Sequence, residues 1–329
     1  MKNLVISLGN ICNSYCLFCK DGQQKVSSES KIVDIEKIKS KLIFYFNLGC
    51  KTVVFLGGEP LINPNLLKII YYSKQIGYEN IEISTNGLCC DNERLIRQLL
   101  LNGVNHFTVS IHSHLPEVEE YLTGVPGSLL KKIKGIKFLI KCLKNGLLKN
   151  GIMLNPVINS KNYRELKNYI KYFYKLGIRY IHFNFIGGSI YMWPLGKKLK
   201  ATGLMPYYNE IIPYLIEAVY YTRMHMPDIK IRFSDIPICG LPLNNDYIRK
   251  YLNQIITNYF SEVKSESFVY INNRELEWDK FIHKEFKILT NICKCCEYKD
   301  YCGGILKNYI KVHGFKGIAK HFEKIYIKK

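Results

Sequence analysis

The chain from Asn3 to about Asn184 alternates between two hydrophobic patterns. Short runs rich in β-branched and aromatic residues predict strands, and longer stretches with apolar residues three and four positions apart predict amphipathic helices. The predicted strands are Asn3–Leu8, Thr52–Leu56, Asn80–Ser84, His106–His112, Ile152–Val157 and Tyr180–Asn184. The predicted helices are Ile35–Leu48, Leu66–Ile76, Asn92–Leu101, Ser128–Asn145 and Asn162–Leu176. A glycine follows each helix, as a left-handed C-terminal cap favours.

Six β/α repeats of this kind predict a parallel sheet with right-handed crossovers, closed or partly closed into a barrel. Polar and glycine-rich residues lie at the ends of the first four predicted strands or directly after them, namely the cysteines of segment 12–19, then Gly57–Pro60, Ser84–Gly87 and Ser110–His112. In a barrel these strand ends share one rim, where functional residues collect. The sequence therefore predicts an α/β fold, a partial (β/α)6 TIM-like barrel, with a site at its carboxyl rim.

Segment 12–19 reads Cys-Asn-Ser-Tyr-Cys-Leu-Phe-Cys, with three and then two residues between the thiols of Cys12, Cys16 and Cys19. Three cysteines in one loop can hold three irons of a [4Fe–4S] cluster and leave the fourth iron without a protein ligand. A zinc site is the alternative, although structural zinc normally takes four ligands at pair-like spacings. Unligated thiols packed in the core are the third interpretation.

The composition is that of a globular protein, since 47% of the 329 residues are hydrophobic. A formal net charge of +20 points toward nucleic acid, but only eight of the 47 basic residues are arginine. Phosphate-reading surfaces favour the forked guanidinium of arginine, and the lysines here are spread along the whole chain. We therefore expect a solvated basic surface and no nucleic-acid partner, with an RNA or acidic-peptide groove as the alternative.

Twelve cysteines in a secreted protein would indicate disulfides, but the N-terminus leads from Met1 into the first strand without a signal peptide. No apolar run reaches the ~18 residues that a membrane span needs. We therefore expect a cytoplasmic protein with no membrane partner. In the reducing cytosol, clustered cysteines indicate metal or redox chemistry.

The β/α alternation stops after Gly187-Gly188, which predicts three parts with bounds 1–186, 187–228 and 229–329. The middle part contains a polar linker around 197–203 and a helical stretch over 207–223. In the last part, a strand over 229–233 precedes the Pro-Ile-Cys-Gly of 237–240 and a long helical segment. Four cysteines within ten residues follow near the end, so we expect a small α+β cysteine-rich cap after the barrel.

Four thiols so close together are not a packing pattern. Cys293, Cys296 and Cys302 form Cys-x2-Cys-x5-Cys, Cys239 supplies a fourth ligand from across a small subdomain, and Cys295 is spare. A zinc knuckle competes with an iron–sulfur cluster, because four thiolates fit zinc equally well. The other thiols are interpreted as structural, with hydrogen-atom donation by one of the adjacent pair as an alternative; they are Cys50, Cys89, Cys90 and Cys142.

The motifs of the N-terminal part occur in a fixed order: Cys-x3-Cys-x2-Cys with Phe18 before the third cysteine, then Gly-Gly-Glu-Pro, then Thr-Asn-Gly. This combination resembles the radical S-adenosylmethionine (SAM) superfamily over about residues 1–186. The resemblance implies that Cys12, Cys16 and Cys19 bind a [4Fe–4S] cluster whose open iron is chelated by the amino and carboxylate groups of SAM. One electron from an external donor of flavodoxin or ferredoxin type then cleaves SAM, and the 5′-deoxyadenosyl radical abstracts hydrogen from the substrate.

The resemblance also implies which rim residues contact SAM. Gly57 and Gly58 allow close backbone approach, and carbonyls there or the Glu59 carboxylate accept from the SAM ammonium. A purely structural role is the alternative for Glu59, and His112 fits either a substrate contact or a satisfied histidine at the barrel end. The ribose, carboxylate and adenine contacts are Ser84, Asn86, Ser110 and Phe18.

One position departs from the family pattern. Many relatives with auxiliary clusters have an arginine shortly after the fourth strand that pairs with the SAM carboxylate. Here the region reads Glu-Glu-Tyr-Leu-Thr-Gly over 119–124. Either a lysine such as Lys161 replaces the arginine or the site does without it.

The C-terminal cysteines resemble the auxiliary-cluster caps of the twitch (SPASM-like) type. The Pro-Ile-Cys of 237–239, Trp278, the cysteine cluster and the Gly-Gly after it are similar to the maturases of His-Xaa-Ser peptide systems. This implies a second [4Fe–4S] cluster and a ribosomally made peptide substrate, modified by crosslinking, oxidation or epimerisation. The alternatives are a radical SAM dehydrogenase of a small metabolite and a basic RNA-binding or zinc-binding protein without enzymatic activity.

Overall fold

The computed structural model describes residues 2–19, 33–187, 200–237, 259, 266–271, 274–277, 285–295 and 302–318. Cys239, Cys296 and Trp278 lie outside these residues. The chain folds as two compact units. The N-terminal unit comprises Met1–Asn155, Leu176–Ile178 and Lys264–Asp279, and the C-terminal unit comprises Pro156–Lys175, Arg179–Val263 and Lys280–Lys329.

Strands and helices alternate along most of the first half of the chain. The described strands are β1 (Lys2–Ser7), β2 (Thr52–Leu56), β3 (Asn80–Thr85), β4 (His106–Val109), β5 (Ile152–Leu154), β6 (Val157–Ile158), β7 (Tyr180–Phe185), β8 (Lys230–Ser234), β9 (Glu266–Ile271), β10 (Arg274–Glu277), β11 (Lys287–Ile288) and β12 (Ile305–Leu306). The described helices are α1 (Ile35–Asn47), α2 (Leu66–Ile76), α3 (Glu93–Leu101), α4 (Pro116–Thr123), α5 (Ser128–Lys144), α6 (Leu166–Leu176), α7 (Tyr208–His225) and α8 (Lys307–His313). No described helix is long and apolar enough to cross a membrane.

The N-terminal unit is built on a parallel sheet in which β1, β2, β3, β4 and β5 lie side by side. On the other edge of β1, β9 pairs in parallel, and β10 pairs antiparallel with β9. Ser84 of β3 lies opposite Thr108 of β4. Because the first five strands run in one direction, their carboxyl ends share one edge, and the loops that carry the motifs leave from it.

Alternating burial shows which face of this sheet is the core. Val53 and Phe55 of β2 are fully buried, as are Ile81 and Ile83 of β3 to within 1%, whereas the residues between them are half-buried. Helices α1, α2 and α3 each bury one apolar stripe. The helix α2 ends at Gly77, whose φ of +109° is the left-handed cap that the sequence predicts.

In the C-terminal unit, β7 pairs in parallel with both β6 and β8. Phe183 and Phe233 stack on one face of this sheet with ring centroids 5.1 Å apart. A second aromatic stack joins α7 to α8, where the ring centroids of Tyr208 and Tyr309 are 4.0 Å apart. The hairpin of β11 and β12 completes the described part of the unit.

The predicted α/β class is confirmed, and most predicted elements before Gly187 agree with the structure to within two residues. The single strand predicted over Ile152–Val157 is wrong, because β5 ends at Leu154 and β6 begins at Val157. Pro156, between them, has no backbone N–H to donate to a sheet. The strand predicted to reach His112 ends at Val109, and the backbone N–H of His112 donates to a carboxylate instead of a neighbouring strand.

Six described elements were not predicted, namely α4, β9, β10, β11, β12 and α8. Helix α4 has only eight residues, too few for a clear apolar period, and it begins with proline at a first-turn position. Strands β9 and β10 lie in a region whose pattern indicated helix. In the second half, the predicted helix over 207–223 and strand over 229–233 are confirmed as α7 and β8.

Candidate active site

The cysteine loop, residues 8–19, leaves the end of β1 and runs along the segment that follows β2. The backbone N–H of Leu8 donates to the Leu56 carbonyl, Gly58 N–H to Gly9, and Glu59 N–H to Ile11, each at 2.8 Å. A Cβ on Gly58 would lie 2.1 Å from the Ile11 oxygen. The absence of side chains at Gly57 and Gly58 therefore allows the backbone of the cysteine loop to pack directly against them. Contact of these glycines with SAM stays a prediction.

The other side of the cysteine loop is held by the C-terminal end of α4. The backbone N–H of Tyr15 donates to the Thr123 carbonyl at 2.8 Å, and that of Leu17 donates to the Leu122 carbonyl at 3.0 Å. The Ser14 hydroxyl donates to the same Thr123 carbonyl at 3.3 Å. These carbonyls have no partner within the helix, so the loop satisfies groups that a helix end leaves open.

The three thiols of the loop are half-buried. The Asn86 side-chain amide lies 3.7 Å from Cys12 Sγ, and the Ser14 hydroxyl lies 3.2 Å from Cys16 Sγ. Burial raises the pKa of Cys12 to about 12 and also raises the pKa of Cys16. Positive charge from a bound metal would therefore be needed to hold these sulfurs as thiolates at neutral pH. Among the described residues, no three Cys, His, Asp or Glu side chains are grouped so as to hold a metal ion.

Three thiols from one loop, near hydroxyl and amide donors, match the donor set of a [4Fe–4S] cluster with one open iron. The cysteine loop is fixed on both sides by backbone hydrogen bonds, from residues 57–59 and from α4. A single metal ion needs ligands that converge on one point, whereas each cysteine of a [4Fe–4S] cluster binds a different iron, so the donor types present fit such a cluster.

Glu59 is 3% exposed and joins two loops of the rim. Its Oε1 accepts from the Thr85 hydroxyl at 2.6 Å and from the Leu61 N–H at 2.9 Å, and its Oε2 accepts from the Asn86 N–H at 2.6 Å. Burial raises the pKa of Glu59, while these donors act in the opposite direction. The described contacts thus agree with the alternative interpretation of Glu59 as a structural residue. A contact between its carboxylate and the SAM ammonium stays a prediction.

Asn86 connects the loop after β3 with the cysteine loop. Its side-chain amide donates to Asn13 Oδ1 at 2.8 Å, and its Oδ1 accepts from the Leu88 N–H at 2.9 Å. Asn13 in turn donates to Cys89 Sγ at 3.5 Å. The sequence indicated a position near the rim for Cys89, because this residue comes shortly after the end of the third predicted strand.

The other predicted contacts also lie at this edge. Ser84 is half-buried near the end of β3, and the Ser110 N–H donates to the Thr85 carbonyl at 2.9 Å. Phe18 is 5% exposed, and its ring packs edge-on against His112 at 4.8 Å between centroids. Burial lowers the pKa of His112 to about 4, so this imidazole is neutral at pH 7.

Sequence analysis missed a buried ion pair beneath the rim. Lys132 of α5 and Glu119 of α4 are 1% and 0% exposed, with Nζ 2.6 Å from Oε1. Burial acts to raise the pKa of Glu119, but Lys132 and backbone donors outweigh it and hold this pKa below its usual value. Lys132 lies on the apolar stripe of α5, so the helical periodicity of the sequence could have indicated that this lysine is buried. Lys161 belongs to the C-terminal unit, where it is exposed.

The structure describes two of the four predicted auxiliary ligands, both in the C-terminal unit. Cys293 follows β11 and Cys302 precedes β12, and Ile288 pairs with Ile305 in that hairpin. The antiparallel pairing places both cysteines beyond the same end of the hairpin. Its start is tied to Asp235, four residues before Cys239, by an ion pair from Lys287 at 3.4 Å.

A model of one protein family, described as the radical SAM superfamily, matches residues 6–187. Among curated proteins, a probable GTP 3′,8-cyclase of Saccharolobus islandicus is 31% identical over 186 residues, which cover 55% of this chain and 56% of the relative. A probable GTP 3′,8-cyclase of Sulfurisphaera tokodaii is 30% identical over 55% of each chain. The chain thus spans little more than half the length of these relatives.

Solved structures resemble nearly the whole chain. The protein anSMEcpe with bound AdoMet has a TM-score of 0.62 at 15% identity and covers 98% of this chain and 94% of its own. Streptococcus suis SuiB bound to S-adenosylmethionine has a TM-score of 0.61 at 12% identity over 94% of this chain and 73% of its own. SuiB bound to its precursor peptide SuiA has a TM-score of 0.59 at 12% identity, over 91% of this chain and 64% of its own. At such identities the likeness shows the fold.

Proposed function

The chain belongs to the radical SAM superfamily, and from that membership we propose that Cys12, Cys16 and Cys19 hold a [4Fe–4S] cluster at the barrel rim. Membership implies an enzyme that uses SAM and such a cluster. When bound and reduced by the external donor, the cluster would supply one electron to SAM, which breaks the sulfur–carbon bond to C5′ and leaves methionine and a radical that takes a hydrogen atom from the substrate. The supporting observation is the cysteine loop held between residues 57–59 and α4.

Within this proposal, the residues of the rim position the ligand and exclude water. The Asn86 amide donates toward Cys12 Sγ, which favours the thiolate form of Cys12, and the Ser14 hydroxyl lies 3.2 Å from Cys16 Sγ. Ser84 and Ser110 offer hydroxyls for the ribose and carboxylate of SAM. The nearly buried Phe18 closes the loop against solvent beside the adenine.

The test of this function is a Cys16→Ala variant. With only two of the three thiols left, we expect loss of the cluster and no 5′-deoxyadenosine after incubation with SAM and a chemical reductant. Cys142→Ala is the matched control, because Cys142 is a buried thiol on α5 and should leave iron content and SAM cleavage intact. Cleavage by Cys16→Ala at the wild-type rate would contradict the assignment.

We propose a ribosomally made peptide as the substrate, which is modified by crosslinking, oxidation or epimerisation. Support comes from the fold, since the similar structures include SuiB with a precursor peptide and anSMEcpe with a bound peptide. A small metabolite is the second candidate, because the curated relatives are probable GTP 3′,8-cyclases. The match covers 56% of the first of these relatives, so the similarity does not extend over the whole length of that cyclase.

One labelling experiment separates these candidates. Peptides encoded beside the gene, or GTP, are supplied with deuterium at carbon positions, and 5′-deoxyadenosine is examined for deuterium by mass spectrometry. Transfer from a peptide supports the peptide proposal. Transfer from GTP, with none from any peptide, supports the metabolite.

We also propose an auxiliary [4Fe–4S] cluster held by Cys239, Cys293, Cys296 and Cys302. The hairpin of β11 and β12 brings the chain near Cys293 and Cys302 together, and an ion pair connects Lys287 of this hairpin to Asp235, which is four positions before Cys239 in the sequence. Two clusters predict about eight irons per chain. About four irons with one zinc would favour a zinc knuckle instead. A flavodoxin- or ferredoxin-type protein is the electron donor that this proposal requires.

A further inference from the structure

Apart from the bond that joins them, the described hydrogen bonds of the Glu119 and Lys132 side chains all go to one short segment, residues 110–113. Lys132 Nζ donates to the Ser110 carbonyl at 3.0 Å as well as to Glu119 Oε1. Glu119 Oε2 accepts from the backbone N–H groups of His112 and Ser113 at 2.7 and 2.8 Å. A carbonyl and two N–H groups just beyond β4 are therefore fixed by one buried ion pair.

The same pair lies beneath both other loops of the site. A Cβ on Gly87 would lie 3.4 Å from Lys132 Cγ, so the stem of this lysine supports the loop whose Asn86 reaches Cys12. Glu119 belongs to α4, and the C-terminal carbonyls of α4 hold the cysteine loop. Three of the four rim segments, namely the cysteine loop, the loop after β3 and segment 110–113, thus share this one support.

Stability alone is a poor reason to bury two charges. Desolvation of an ion pair offsets much of its attraction, and apolar residues of similar size are often at least as stabilising. The charged groups in addition fix the orientation of specific backbone groups, because hydrogen bonds to an ammonium or a carboxylate are strong and directional.

We propose that Lys132 and Glu119 are positioning residues for SAM, which hold segment 110–113 in the conformation that receives the ligand beside the cysteine loop. The inference rests on the proposed function. Neither side chain contacts SAM itself. Lys132 is committed to Ser110 and Glu119, so its ammonium does not replace the arginine that many relatives have after the fourth strand.

The test is the double variant Glu119→Gln/Lys132→Met, which removes both charges and keeps both shapes. The Gln carbonyl still accepts from His112 and Ser113, whereas the ion pair and the hydrogen bond to the Ser110 carbonyl are both lost. We expect wild-type iron content and an unchanged electron paramagnetic resonance spectrum of the reduced cluster without SAM. The SAM concentration that half-saturates the SAM-induced spectral change should rise about tenfold, the cost of one positioned charge-assisted hydrogen bond. KM for SAM should rise equally, with kcat within about twofold.

Lys131→Met and Lys134→Met are the matched controls, since both lysines lie on the exposed face of α5, and neither should change the titration. The single variant Lys132→Met leaves a buried carboxylate unpaired and should lower Tm more than the double variant does. A double variant with the wild-type SAM titration, or one that loses its cluster, would overturn the inference, because the pair would then serve only the fold. If the wild type shows no SAM-induced change, the proposed function fails instead.

Discussion

Replacing Gly58 by alanine tests how closely the cysteine loop must approach the end of β2. The new Cβ would lie 2.1 Å from the Ile11 oxygen and 2.7 Å from the Asn10 carbonyl carbon, and ordinary contact begins near 3.4 Å. The neighbouring atoms belong to backbone, which cannot rotate away as a side chain can. The Ile11 carbonyl therefore has to retreat by about 1.3 Å, the difference between contact and overlap.

Such a displacement acts on the loop that carries the three thiols. A misplacement of about 1 Å can reduce turnover about 100-fold, and the hydrogen bond from Glu59 N–H to Ile11 is lost with it. We expect Gly58→Ala to remain folded and to lose the first cluster, so that iron falls from about eight to about four per chain while 5′-deoxyadenosine formation drops at least 100-fold.

Gly146→Ala is the control for backbone strain without overlap. Gly146 has φ +72° and no atom within 4 Å of the position that a Cβ would take, so alanine there costs about 1 kcal/mol of conformational strain. Iron content and activity should be those of the wild type. Full iron loading and cleavage within twofold of wild type for Gly58→Ala would refute the close-approach explanation.

Three further predictions concern other parts of the molecule. Cys302→Ala should spare SAM cleavage but impair product formation, measured as 5′-deoxyadenosine against modified substrate; unimpaired product would count against an essential auxiliary cluster. Burial lowers the pKa of His182 from 6.5 to about 4, so the unfolded state takes up a proton first as pH falls through that range. The free energy of unfolding should therefore decline below pH 6.5, by up to about 3 kcal/mol from this group, and chemical denaturation of His182→Gln should show a shallower decline. Tyr309→Phe keeps the ring stack but removes a hydroxyl that lies 3.3 Å from the Tyr208 N–H and 2.6 Å from the Lys316 carbonyl. It should lower the free energy of unfolding by about 1–3 kcal/mol, and an unchanged value would show that solvent replaces the hydroxyl.

The part of the candidate site that depends on residues close together in the chain could be predicted from the sequence. Thiol spacing in the cysteine loop and glycine pairs after strands are local signals, and the structure places these segments at one edge of the parallel sheet. The reason for Gly57 and Gly58 was not readable, because their close neighbours belong to a segment more than 45 positions earlier in the chain. Glu59 was assigned to a ligand for the same reason, since two of its three hydrogen-bond donors, Thr85 and Asn86, lie at the end of β3.

Other features needed tertiary information. Lys132 looks like one more lysine in a lysine-rich chain until α4 and α5 are packed, and Glu119 lies on a helix too short for its period to be visible. Strand β9, by contrast, reads Glu-Ser-Phe-Val-Tyr-Ile, a β-branched and aromatic run that local propensity favours as a strand, and its described sheet partners are β1 and β10.

The parallel pairing of β9 with β1 has a consequence for how the protein is made. Lys2 lies opposite Glu266 and Ile6 lies opposite Tyr270, so the outer edge of the first strand waits for a partner synthesised more than 250 residues later. During that interval the strand that leads into the cysteine loop presents unpaired backbone groups, which invite pairing with another nascent chain. Contacts of such long sequence separation also form slowly. Low temperature or a holding chaperone should therefore raise the yield of metal-loaded enzyme, and chains truncated before Glu266 should aggregate.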